Sequence, residues 1–244
     1  MSMSAPVFAR ENAASPLALL LVLEASTTAG SVALMADGAI VAVRPVAMGA
    51  GREDQLFPAV QALMANVGAT VRQLSGVVCG AGPGSFTSLR IAASLAKGLA
   101  HGASVPLFAV SSLLLSAADA IEALPAGLAV VHSDALRGER YVLDVMCDAG
   151  GSVHAQSALQ RMTIEQLAAH ASGRPRLAVL ASLTPGLEMR VVTPSAAHLV
   201  HVAPAAWSRA VPLDSWEPQY GRLAEAQVKW EASHGAPLPS LGAV

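Results

Sequence analysis

Gly80-Ala81-Gly82-Pro83-Gly84-Ser85-Phe86-Thr87-Ser88-Leu89-Arg90, running on through Lys97 to His101, sets a glycine-rich turn directly ahead of a long apolar helix. The residues before it, Gly76-Val77-Val78-Cys79-Gly80, read as a short buried strand, and glycines turn sharply because no Cβ obstructs them. Ser85 is placed to cap the helix, so free N–H groups of the first turn would face any anion at Gly82, Gly84 and Ser85. The same residues serve a plain strand-to-helix corner, since the spacing is neither G-x-x-x-x-G-K-[ST] nor G-x-G-x-x-G.

At about 100° per residue, Arg90, Ser94, Lys97 and His101 fall on one narrow polar stripe of this helix. Leu89, Ile91, Ala92, Ala93, Leu95, Ala96, Leu99 and Ala100 cover the rest, which is more apolar surface than one sheet needs. Ala92, Ala96 and Ala100 would let another helix approach closely, whether a neighbour in the same chain or one from another chain.

Gly82 to Ile91, followed by Ala96-Lys97-Gly98-Leu99-Ala100 and Val110-Ser111-Ser112-Leu113, resembles the TsaB (YeaZ) family of tRNA threonylcarbamoyladenosine biosynthesis proteins. Weaker matches stand in the same order. They are Leu23-Glu24-Ala25-Ser26-Thr27 with Ser31-Val32-Ala33-Leu34, then Asp134-Ala135 with Gly138-Glu139 and Tyr141, and finally Glu217-Pro218-Gln219-Tyr220-Gly221-Arg222. The resemblance spans roughly residues 17–222. Three departures stand out: Glu24 where the family usually has Asp, Ser88 where it usually has Gly, and no histidine in Gly51-Arg52-Glu53-Asp54.

A coarse reading gives strands over 17–24, 30–36 and 39–45, with Asp37-Gly38 as a hairpin signal. A helix follows over about 55–67, its apolar face made by Leu56, Val60, Leu63, Met64 and Val67. Next come strand 76–81, the helix opened by Ser85, strand 105–110 and a helix from Ser111 to about Ala123. Three antiparallel strands followed by alternating helices and parallel strands is the ribonuclease-H-like arrangement, and the resemblance implies the same actin-like duplicated α/β fold. In the second half, strands are expected over 128–133, 139–147 and 152–159. A short helix capped by Thr163 and Gln166 comes next, then strands near 177–182 and 190–193 and a helix near 195–203. The expected organisation is a flexible extension over 1–16, a first lobe over 17–125, a smaller second lobe over 126–230 and a disordered tail over 231–244.

A net charge of -2 gives no footprint for direct nucleic-acid binding, so tRNA would be met only through a partner. Cys79 and Cys147 lie in apolar runs and read as buried thiols. Leu17 to Leu23 after Arg10 has the layout of a signal peptide, but Glu11 and Glu24 interrupt it, so a cytoplasmic protein without a membrane span is expected.

Glu24 and Asp134 end the first strand of each half, where an actin-like ATPase would hold magnesium and phosphate. The second half shows no glycine-rich adenosine loop; Pro185-Gly186 is the one candidate turn. His198 and His201 lack a third ligand. The resemblance contrasts with TsaD, whose H-x-x-x-H iron site has no counterpart among His101, His132, His154, His170, His198, His201 and His234. Neither a catalytic residue nor a metal is expected, nor any cofactor for the isolated chain beyond ATP or ADP in an assembled complex. What the resemblance implies is a non-catalytic partner that activates a TsaD-type threonylcarbamoyl transferase, joined by a TsaE-type accessory ATPase, and a homodimer in isolation. The expected contact residues are Leu56, Val60, Leu63, Met64, Phe86, Leu89, Arg90, Ala93, Ala96, Lys97 and Ala100. The alternative is an ATP-dependent enzyme that uses Glu24 and Asp134 for magnesium.

Overall fold

A computed structural model describes residues 19–49, 55–179 and 188–220, with Ser233. The expected N-terminal extension, residues 51–54, Pro185-Gly186 and, apart from Ser233, the expected tail lie outside the described residues.

The first half folds as its periodicity dictates. Strands β1 (Leu19–Glu24), β2 (Ala29–Ala36) and β3 (Ala39–Ala47) are antiparallel neighbours. Asp37 and Gly38 both take positive φ, as the two-residue hairpin turn between β2 and β3 requires. Strand β4 (Gly76–Gly80) runs parallel to β1, and β5 (Leu107–Val110) runs parallel to β4. Alternation sends Leu21, Leu23, Val77 and Cys79 to one face. There they pack against α1 (Leu56–Asn66) and α2 (Phe86–Ala103). The opposite face offers Val22, Val78 and Val110 to α3 (Ser112–Ala118).

The second half repeats the plan. Strands β6 (Gly127–Asp134), β7 (Glu139–Cys147) and β8 (Val153–Ala155) are antiparallel, while β10 (Arg176–Val179) and β11 (Arg190–Val192) extend the sheet in parallel. The first sheet reads β3-β2-β1-β4-β5 and the second β8-β7-β6-β10-β11, the same order with the same directions. This is the duplicated ribonuclease-H-like architecture of the actin-like proteins. Ala129, Val131, Leu143 and Leu177 face the same core as α3, so that helix lies between the sheets. Helix α4 (Ile164–His170) covers the outer face through Leu167, beside Val130 and Val142.

Several boundaries depart from the sequence reading. The strand expected over 152–159 is two pieces, β8 and β9 (Gln160–Thr163), both paired with β7. Four residues, 156–159, sit opposite two on β7, and this bulge is held by Gln156 N–H on the Asp144 carbonyl and Asp144 N–H on Ser157 Oγ. The helix expected to reach Ala123 stops at Ala118 and resumes as a 3₁₀ turn over Ile121–Ala123. The helix expected over 195–203 is a 3₁₀ segment, Ala196–His201, opened by Ser195. A strand with no sequence signal, β12 (Ala210–Val211), pairs antiparallel with β5 and closes that edge of the first sheet. Among the described residues, no helix is long and apolar enough to cross a membrane.

Candidate functional site

The glycine turn is filled by the chain itself. A Cβ on Gly84 would overlap the Ser26 carbonyl, which accepts the Ser85 N–H at 2.8 Å. Gly82 takes φ +83°, and a Cβ there would lie 2.5 Å from the Gln219 carbonyl oxygen. On either side of it, the Gln219 N–H donates to the Ala81 carbonyl at 2.7 Å and the Ser112 N–H to the Gly82 carbonyl at 3.0 Å. The glycines are thus explained by close approach of Ser26 and residue 219. Ser85 occupies the N-cap position as expected, yet its side chain meets Ser88 Oγ at 3.1 Å rather than capping a backbone N–H.

Glu24 is the anchor of this region. Wholly buried at the end of β1, it accepts the Ser26 N–H on one oxygen at 2.6 Å and the Ser112 hydroxyl on the other at 2.8 Å. Ser112 Oγ also receives the Gly82 N–H at 3.1 Å, so one carboxylate ties β1, the turn and the start of α3 together. Burial pushes the Glu24 carboxyl up from its ordinary range, against the hydrogen bonds from Ser26 and Ser112 that pull it down. Asp134, its counterpart on β6, lies in a different setting: its side chain is 48% exposed, accepts the Leu136 N–H and pairs with Arg140 at 3.1 Å. Both Glu24 oxygens are occupied by protein donors, and among the described residues no group of three His, Cys, Asp or Glu side chains is placed to hold a metal. His198 instead bonds the Leu115 carbonyl through Nδ1 and lies 3.6 Å from Asp119.

The helix residues expected to meet a partner divide sharply. Leu56, Val60, Leu63, Met64, Leu89, Ala93, Ala96 and Ala100 are buried within this chain, and all but Leu89 and Ala93 belong to the core that packs α1 and α2 onto the first sheet. Their apolar surface is engaged within this chain, the alternative that the alanine spacing leaves open beside a partner helix. Alanine spacing could not reveal this, because small side chains allow close approach to a sheet as readily as to a helix. Phe86, Arg90 and Lys97 do reach the surface, and a strap over residues 216–220 runs beside them. The Arg90 guanidinium lies 4.2 Å from the Phe86 ring centre and 5.5 Å from that of Tyr220, the two rings being 4.7 Å apart. Lys97 stands 6.0 Å from the Trp216 ring. The surface left open carries Phe57 and Gln61 on α1 and Thr87, Ser94 and Gly98 on α2. Sequence reading missed the contacts of Ser26 with Ser85, Trp216 with Lys97 and Ser112 with Glu24, which are too distant along the chain to leave a local signal.

The family model described as tRNA N6-adenosine threonylcarbamoyltransferase, TsaD, matches residues 43–193. The chain belongs to this family, in its TsaB/YeaZ branch. It is 35% identical over 127 residues to the Haemophilus influenzae protein named tRNA threonylcarbamoyladenosine biosynthesis protein TsaB, covering 52% of this chain and 53% of that one. The Escherichia coli protein of the same name is 33% identical over 139 residues, covering 56% and 59%. The chain thus matches somewhat over half the length of these curated relatives. Two solved structures extend the likeness. YeaZ from Pseudomonas aeruginosa superposes with a TM-score of 0.70 at 25% identity, covering 84% of this chain and 100% of that one. A second structure, described as similar to peptidase YeaZ from Pseudomonas aeruginosa, gives 0.71 at the same identity and coverage. The likeness in fold therefore extends over more of the chain than the sequence matches do.

Proposed function

We propose that this chain acts in threonylcarbamoyladenosine modification of tRNA as the non-catalytic partner that binds and activates a TsaD-type transferase. The similarity to proteins named for threonylcarbamoyladenosine biosynthesis carries this reading. Support for a non-catalytic role comes from Glu24, whose oxygens are committed to Ser26 and Ser112 at the position where an ATPase of this architecture needs a free metal ligand. The docking surface is the open side of α1 and α2, around Phe57, Ser94 and Gly98. In the absence of the transferase the same surface pairs with its own copy. A TsaE-type accessory ATPase joins the complex, any ATP or ADP belongs to that assembly, and tRNA is contacted by the partner, consistent with a net charge of -2. A cytoplasmic setting follows from this role.

Depletion of the protein followed by mass spectrometry of tRNA nucleosides tests the assignment. Loss of the threonylcarbamoyl modification is expected. An unchanged level, with no second gene copy to substitute, would remove the protein from the pathway.

A further inference from the structure

The outer face of the second sheet carries polar groups that the proposed function does not use. Alternation along the strands puts Val130, His132 and Asp134 of β6 on that face, with Arg140, Val142 and Asp144 of β7 and Arg176 and Ala178 of β10. His132 stands opposite Val142 on one side and Ala178 on the other. Arg140 and Arg176 each lie two residues away from those partners, so they flank His132 diagonally from both neighbouring strands.

His132 is 0% exposed, and among the described residues neither ring nitrogen has a hydrogen-bond partner. The Nε atoms of Arg140 and Arg176 are likewise buried and unpartnered. Neighbouring carboxylates do not relieve them. Asp134 and the Glu139 carbonyl take Nη1 of Arg140, and Asp144 is held by His170 at 2.8 Å and Arg174 at 3.0 Å. Arg176 has no ion pair among the described residues, so two guanidinium groups face one available carboxylate. Buried donors in native proteins nearly always find an acceptor, and three unsatisfied groups gathered on one face mark a place where an acceptor belongs. The positive charge of Arg140 also reaches the imidazole: burial first, and Arg140 second, lower the His132 pKa to about 4.

We propose that His132, Arg140 and Arg176 form a binding site for a small oxyanion, a phosphate or carboxylate group, on the outer face of the second sheet. The guanidinium Nε–H groups donate to it from the two neighbouring strands and the imidazole N–H from β6. An oxyanion there supplies the acceptors and the negative charge that the cluster lacks. This site is independent of the helical docking surface on the first sheet and stands or falls separately from it.

Titration of the full chain with inorganic phosphate, and in parallel with acetate, tests the site against sodium chloride of equal ionic strength. The NMR signal of the His132 ring should move saturably with one of the two anions, and a tenfold excess over Kd should raise Tm by about 3 °C. Arg176→Gln should abolish both responses while circular dichroism stays unchanged. His132→Leu should abolish the Tm response too and leave the anion-free protein no less stable, since it removes two unpartnered nitrogens. An unmoved His132 signal in both titrations, or an Arg176→Gln variant that responds like the parent chain, would overturn the proposal. Response to phosphate alone assigns a phosphoryl ligand, and response to acetate assigns a carboxylate.

Discussion

The two sheets share strand order and strand direction, yet they are clothed differently. On the first, an 11-residue and an 18-residue helix pack over one face, and α3 packs against the other. On the second, α3 is shared, and among the described residues the outer face has only the seven-residue α4, which packs around Val130, Val142, Leu167 and Ala171. The polar junctions follow the same division. Glu24 is sealed in and bonded at both oxygens, whereas Asp134 at the equivalent strand end is half exposed and ion-paired. A duplicated sheet therefore does not dictate duplicated chemistry. The first half is a helical platform, while the second keeps polar groups within its sheet face.

The largest expected effect separates the inner and outer sides of that platform. Ala96 is fully buried, so Ala96→Glu places a carboxylate in the first core and costs several kcal/mol, enough to remove the cooperative transition seen by circular dichroism. Two residues on, a Cβ at Gly98 meets nothing within 4 Å. Gly98→Glu should leave the chain folded, with helix stability raised by up to about 0.6 kcal/mol, while disrupting the docking surface. A folded Ala96→Glu variant would show that this face of α2 is not core.

Glu24 comes next. Glu24→Ala leaves the Ser26 N–H and Ser112 hydroxyl unpaired and should lower stability by about 2–4 kcal/mol in urea denaturation. Because the folded carboxyl is raised above its ordinary value of 4.5, the folded chain holds this proton to higher pH than the unfolded chain. The resulting stabilisation is full below about pH 4.5 and is lost as pH rises through the folded value. Glu24→Gln should flatten that component, and a slope identical to the parent chain's would assign it elsewhere.

In the second half the corresponding pin is Asp144, which joins β7 to His170 and Arg174 behind α4. Asp144→Ala should cost about 1–3 kcal/mol and speed amide exchange in α4 while leaving α2 unchanged. Equal acceleration in both helices would contradict the separation of the two coverings. The smallest effect belongs to the strap: Arg90→Ala removes stacking on Phe86 and Tyr220, costs about 0.5–1 kcal/mol and raises exchange over residues 216–220.

Local chemistry made much of this architecture legible. Asp37-Gly38 announced the β2–β3 turn, the spacing of Leu56, Val60, Leu63 and Met64 gave α1, and Thr163 with Gln166 formed the expected capping box ahead of α4. Of the polar stripe Arg90, Ser94, Lys97 and His101, three are exposed on α2 and Lys97 is half-buried. What stayed hidden depends on residues far apart in sequence. Two residues suffice for β12 only because β5 offers an open edge, and Gly84 is fixed by Ser26, nearly sixty positions earlier. His132 looked like any histidine in an apolar strand until cross-strand register placed two arginines beside it.

The central claim, that the outer side of α1 and α2 docks a TsaD-type transferase, is tested most directly by mixing the two purified proteins in sedimentation velocity. The parent chain should form a single heteromeric species at the expense of its own dimer, and Gly98→Glu, folded by circular dichroism, should sediment apart from the transferase. A Gly98→Glu variant that still forms the complex at parental affinity would contradict the claim.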